Sequence, residues 1–236
     1  MAVPTIRGVG TVASGIGTIA PAYPTGTAAG DLVLMFIETT GGESPTCTGW
    51  SHTPSSPQAT GLTTNGTKLS ILYRTVSNPA TDNRTTNDPG NHILARIIGI
   101  TTGTFYTVDP FNTSAGGVDA IGGATNPQQI SSITTTVADC LIFAAITGSL
   151  PDATGTTEFS NWTNANLASL TERIDNSTNS GNGGSLGVAS GEKATAGSVG
   201  ATEVDAVTTL SNFRANIQIA IAPVPPTLPR RVFNIS

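Results

Sequence analysis

Charge is what this chain has least of. Only 11% of its 236 residues are Asp, Glu, Lys or Arg, against about 25% in an average soluble protein. That scarcity argues against a coiled coil and against a charge-extended disordered chain. Positive charge is rarer still: ten Lys and Arg against fifteen Asp and Glu leave a net charge of −5. The cations are scattered, with one adjacent pair, Arg230–Arg231. Nucleic-acid binding draws on clustered cations that displace counterions, so no nucleic-acid partner is expected. No basic amphipathic helix is present either, so no membrane surface is expected as a partner.

Cysteine is equally scarce. Cys47 and Cys140 cannot make a disulfide framework. Two reduced, packed thiols are the expectation, with a Cys47–Cys140 bridge left open. Long apolar runs are missing: Leu141 to Ile146 is far too short to span a bilayer. The first residues, Met1 to Arg7, lack the charged start and apolar run of a secretory signal, so none is expected. There are two histidines, and no C-x-x-C, H-x-x-x-H or EF-hand pattern. No metal or other cofactor is therefore expected.

What the chain does have is threonine and glycine. Its 39 Thr and 27 Gly exceed a quarter of all residues. Thr suits a pleated, half-buried surface, and Gly with the 15 Pro punctuates turns. The apolar residues fall in short runs bounded by Gly, Pro, Asn or Thr, which read as strands. Leu32 to Thr39 is nearly continuous, the mark of a strand with both faces covered. Lys68 to Val76 partly alternates, and His92 to Ile100 is a third run.

The second half offers the same series. Asp139 to Thr147 echoes the run that starts at Asp31, and Asn161-Trp162-Thr163 echoes Gly49-Trp50-Ser51. Leu186 to Ser190 falls where Leu69 to Tyr73 falls, and Asn212 to Ile221 where His92 to Ile100 falls. The order holds while the loops lengthen, as divergence in surface connections predicts. The reading is an all-β, jelly-roll-like β-sandwich of two similar halves. One domain covers residues 1–222, with halves at about 1–111 and 129–222 and a linker at 112–128. Residues 223–236 hold four prolines and form an extended C-terminal arm, because proline cannot donate to a central ladder. Asn164 to Arg173 reads as a short helix or an irregular strand, and residues 176–185 as a flexible polar loop.

No catalytic arrangement stands out. His52 sits in a polar loop and reads as solvated, and His92 reads as a strand-edge residue. No G-x-S-x-G is present. Glu38 and Glu43 flank a Gly-Gly turn, but sequence does not show them facing each other as glycosidase carboxylates do. Asp82, Asp88, Asp109 and Asp119 are expected to cap turns. Trp50, Tyr106 and Trp162 are the candidates for stacking on a ligand. For the two tryptophans, the matched offsets favour packing at a sheet edge with the indole N–H satisfied.

At this point a resemblance enters. Ala28-Ala29-Gly30-Asp31-Leu32-Val33-Leu34-Met35-Phe36, then Gly49-Trp50, then Leu69 to Arg74, then His92 to Arg96, is similar to a module of tailed-bacteriophage virion proteins. Thr135-Thr136-Val137-Ala138-Asp139-Cys140-Leu141 resembles the start of the module's second half, although Asn161 replaces the glycine before Trp162. The likeness spans roughly residues 9–222. It implies a jelly-roll sandwich without catalysis, located in the virion. The implied role is a capsid decoration or cement protein, or alternatively a tail or neck component acting in adsorption or carbohydrate binding. Its implied partners are the major capsid or tail protein and copies of itself, in a homo-oligomer for which a trimer is one candidate. The residues expected to meet a partner are Pro225, Pro226, Pro229, Arg230, Arg231 and Phe233 of the arm.

Overall fold

A computed structural model describes residues 1–61, 66–87, 90–119, 126–149, 157–206 and 213–226. Among these residues every regular element is a strand. The first half carries β1 (Ile6–Val9), β2 (Ala13–Gly15), β3 (Leu32–Thr40), β4 (Thr46–Cys47), β5 (Ser51–His52), β6 (Gln58–Ala59), β7 (Thr67–Thr75), β8 (Thr86–Asn87) and β9 (Ile93–Ile100). The second half carries β10 (Phe111–Asp119), β11 (Gln128–Thr135), β12 (Cys140–Gly148), β13 (Phe159–Thr163), β14 (Ala168–Thr178), β15 (Gly184–Lys193), β16 (Gly197–Ala206) and β17 (Arg214–Ile221).

Each half builds one main antiparallel sheet. The first runs β1-β9-β3-β7-β5, with β2 also on β9 and β6 also on β7. The second runs β10-β17-β12-β15-β14. The two sheets pack face to face as a β-sandwich. Leu32, Leu34, Phe36, Leu69 and Ile71 meet Leu141, Phe143, Leu186, Val188, Ile217 and Ile219 in one core. Phe36 and Phe143 touch across the seam with ring centroids 5.8 Å apart. Each such side chain, fully buried, contributes about 1.5–3 kcal/mol.

The outer faces are covered too. Val33, Met35, Ile37, Ile93 and Ile97 lie beneath Ile19, Cys47, Tyr23 and Trp50. Ile142, Ala144 and Ile146 lie beneath a third sheet, β11-β16-β13, through Ile130, Ile133, Val199 and Val204. Both central strands are therefore buried on two sides, which accounts for their unbroken apolar runs. Within the runs read as strands, Leu34, Phe36, Ile71, Ile93, Ile97, Leu141, Phe143, Ile217 and Ile219 are buried, while Tyr73 is half-buried.

The repeat extends to register. Leu34 pairs with Ile98 on one side and Tyr73 on the other, as Phe143 does with Ile219 and Ser190. Two residues on, Phe36 pairs with Arg96 and Ile71, as Ala145 does with Ile217 and Val188. The Asp31–Asp139 echo is nonetheless out by one position: Asp139 matches Gly30. Both have left-handed φ, +88° at Gly30 and 59° at Asp139, just before their central strands. A one-residue slip moves every side chain to the opposite face, so the matched inward residues are Leu32 with Leu141 and Leu34 with Phe143.

Two expectations need correction, and one open alternative is decided in favour of a strand. In the stretch expected as a linker, residues 112–119 belong to strand β10 and Gln128 opens β11, while residues 120–125 lie outside the described residues. Gly116 and Gly117 are strand residues under close approach. A Cβ would meet Gln58 at 2.6 Å on Gly116 and the Ser131 hydroxyl at 2.8 Å on Gly117. Residues 176–185 are mostly hairpin, because Asn176 to Thr178 pair with Leu186 to Gly184. Finally, the stretch from Asn164 resolves into a turn and then strand β14, with the Asn164 side chain accepting the Asn166 N–H at 2.9 Å. The two thiols are free and buried on opposite outer faces of the sandwich.

Candidate functional site

At one end of the sandwich three distant stretches converge. They are the connection after β9, the turn between β11 and β12, and the chain leaving β17. Tyr106, Asp109, Phe111, Asn112, Thr136, Val137, Pro223, Pro225 and Pro226 are among the residues lining a mostly apolar groove of about 400 Å³. Backbone pairing builds its floor. The Tyr106 N–H donates to Ala222 O at 3.0 Å, and the Ala222 N–H donates to Pro110 O at 2.8 Å. Phe105, itself buried, forms an antiparallel bridge with Pro223. Pro223 lacks a donor, so the ladder stops there and the chain turns outward. The Asn112 amide clamps the far wall, donating to Thr136 Oγ1 at 2.7 Å and accepting the Thr136 N–H at 2.8 Å. Phe111 is held edge-on by Tyr73, with centroids 4.7 Å apart.

The structure thus brings Tyr106 together with Pro225 and Pro226, residues singled out for different reasons. Pro229, Arg230, Arg231 and Phe233 lie outside the described residues. The other two aromatics are elsewhere and apart. Trp50 is half-buried over the outer face of the first sheet, stacked on Tyr23 with centroids 6.4 Å apart. Its Nε1–H donates to Asn83 O at 2.7 Å. Arg74 lies over its ring and is paired with Asp82 at 2.8 Å. Burial is the main reason that the Tyr23 hydroxyl is pushed up to about 12. Trp162 packs on the third sheet, and its Nε1–H donates to Glu172 Oε2 at 2.8 Å. Both indoles are built into the protein.

Sequence reasoning missed a buried polar network. His92 is no edge residue: its ring is buried against Glu38, with Nε2 2.9 Å from Oε2. The Thr67 hydroxyl donates to Glu38 Oε1 at 2.9 Å. His92 Nδ1 lies 3.1 Å from Asn91 Oδ1, which also accepts the Asn182 N–H at 2.6 Å. That backbone donor fixes Asn91 Oδ1 as an acceptor, so His92 Nδ1 carries a proton toward it. Burial is the main influence on the Glu38 carboxyl and pushes its pKa up, His92 and Thr67 pull it down, and Glu43 adds to the rise. Asn91 Nδ2 also donates to Asn182 Oδ1 at 3.3 Å, and Gly184 packs directly on the Glu38 carboxylate, so the network joins the two halves.

This network is not arranged for hydrolysis. Acyl transfer needs a nucleophile bonded to its base, but the Thr67 hydroxyl bonds the carboxylate instead of the imidazole. Glu43 does not oppose Glu38 across a cleft, because its carboxylate receives the backbone N–H groups of Thr40 and Asn91. His52 is exposed, as read, beside Ser56. Among the described residues no three of His, Cys, Asp or Glu are grouped to hold a metal ion. Comparison with protein-family models, characterised proteins and solved structures returns no match to this chain.

Proposed function

We propose that this protein is a non-enzymatic structural component of a tailed-bacteriophage particle, a capsid decoration or cement protein that binds the shell and copies of itself. The observation that carries this reading is the groove with the chain running out past it. The arm leaves β17 pinned at Ala222 and Pro223, then exposes Val224, Pro225 and Pro226 beside an apolar surface. Extended proline-rich segments lose little entropy on docking, so they suit assembly contacts. The strand order adds support. In the second half β10-β17-β12-β15 faces β11-β16-β13, the interleaving found in jelly rolls of capsid and lectin domains. That support is fold analogy, and the site carries the functional weight. The alternative of adsorption through sugar stacking calls for exposed, coplanar aromatics. Trp50, Tyr106 and Trp162 are each half-buried and do not form one platform.

The test is the protein's copy number in purified particles, measured by quantitative mass spectrometry, for the full chain and for a chain ending at Pro226. Pro223 is buried, so the cut belongs after Pro226 and not before Pro223. We expect symmetric stoichiometry for the full chain, and loss of incorporation with unchanged melting for the truncated one. Absence of the full chain from particles overturns the reading.

A further inference from the structure

We infer that the groove around Tyr106 is the acceptor for the C-terminal arm of a second copy, so that copies join by exchanging arms. This names the partner within the proposed assembly role and rests on that role only for its biological setting. Large apolar side chains stand exposed at or beside the groove, Met1 of its lining among them. Val108 is 81% exposed and Val224 43% exposed, and each adjoins lining residues in the chain. Exposed apolar surface rimmed by polar residues marks an interaction site.

The chemistry of residues 227–236 matches it. They carry Leu228, Val232 and Phe233 for the apolar floor, and Arg230 with Arg231 for a carboxylate. Asp109 is the acidic side chain lining the groove. The protein's net charge of −5 makes this basic pair the segment best matched to it.

The length of chain beyond Pro226 suits a second copy, and the crosslink below separates it from self-docking. Pro225 and Pro226 already lie on the groove wall. Phe233 lies seven residues beyond Pro226, with Pro229 between them. Closely spaced prolines favour a straight polyproline segment. The same seven residues, extended, reach roughly 20 Å outward at about 3 Å each. That carries Phe233 to a neighbour.

The experiment uses the full chain in solution. Asp109→Cys combined with Arg231→Cys places one thiol at the exposed groove rim and one in the arm, and the native cysteines are buried. Under mild oxidation the inference expects crosslinked dimers or longer ladders on a denaturing gel. An intrachain bridge at monomer size overturns it in favour of self-docking, and no bridge overturns the site. Sedimentation supplies the second arm. Asp109→Arg should weaken self-association roughly three- to tenfold, and adding Arg231→Asp should recover it. A chain ending at Pro226 should be monomeric, and association unchanged by these substitutions refutes arm exchange. Arm exchange in solution by a chain absent from particles would refute the virion reading alone.

Discussion

Glu38→Ala tests whether the buried network holds the two halves together. Glu38 is fully buried, accepts from Thr67, and contacts His92, which is itself 1% exposed. Removing the carboxylate leaves the Thr67 hydroxyl without its acceptor, about 1 kcal/mol. It also strands the His92 ring beside a void, and breaking one side of a buried ion pair costs about 3–5 kcal/mol in total. A typical domain has only about 5–15 kcal/mol to lose. Glu38→Gln should cost much less, under about 1.5 kcal/mol. Its amide oxygen still accepts from Thr67, and its N–H can face His92 Nε2, because His92 already directs its Nδ1 proton to Asn91. Urea titrations monitored by tryptophan fluorescence, with slopes compared, give both values.

The pH dependence gives a second readout. The folded-state pKa of Glu38 is raised above the ordinary 4.5. The folded protein therefore holds that proton more tightly than the unfolded chain. Its contribution is fully present below 4.5 and is lost as pH rises through the folded value. Glu38→Gln should flatten that loss. An Ala variant costing under 1 kcal/mol, far below the range for breaking a buried pair, would refute the reasoning.

Other predictions concern core, charge and thiols. Phe143→Ala should cost about 3–5 kcal/mol by denaturation, since its ring is fully buried against Phe36 across the seam. Burial pulls Asp31 upward, but Arg7 and the Ala28 and Thr102 N–H groups outweigh it and hold its pKa below the ordinary 3.8. Its stabilisation is present above 3.8 and lost as pH falls through the folded value, so Asp31→Asn should weaken the protein at neutral pH and steepen nothing in acid. Asp175 behaves oppositely: burial raises it to about 6, so its contribution is lost as pH rises through 6. Asp175→Asn should recover about 1–2 kcal/mol at pH 8, after allowing for its partial exposure, less whatever its bonds to the Glu158 and Phe159 N–H groups lose. Cys47 and Cys140, each buried and raised to about 11 by burial, should resist thiol reagents until the protein unfolds.

Periodicity is local, and the local features were legible. The central strands, their double coverage and their repetition all showed in short apolar runs. Register was not legible, because it turns on backbone conformation at one residue: Gly30 adopts φ +88° easily, and its counterpart Asp139 does so at 59°. Gly116 and Gly117 misled because glycine marks both turns and crowded strands, and only the partners Gln58 and Ser131 distinguish them. The polar stretch from Asn176 looked mobile, yet pairing and the Asn91–Asn182 clamp order much of it. Glu38 and His92 are 54 positions apart, and nothing local announces their contact. The groove joins residues near 106, 136 and 225, so its parts could be named separately but not assembled.

The matched registers locate where the halves have been put to different use. Glu38 stands where the second half has Thr147: the first pairs with Leu69 and Leu94, the second with Leu186 and Ala215. The outer cover differs more, being short strands and loops in one half and a three-stranded sheet in the other. The sharpest difference lies just after the equivalent strands β9 and β17. The segment after β9 runs on into β10 and so joins the halves. The segment after β17 pairs with it through Ala222 and Pro223, then departs. Two equivalent exits therefore lie side by side, one committed to the chain's own continuity and the other directed outward. The groove forms between them, at the place where the repeat breaks. Core residues on both sides answer to packing, which constrains each half alike. The exits do not share that constraint, so the departure from repetition is where the proposed assembly contact falls.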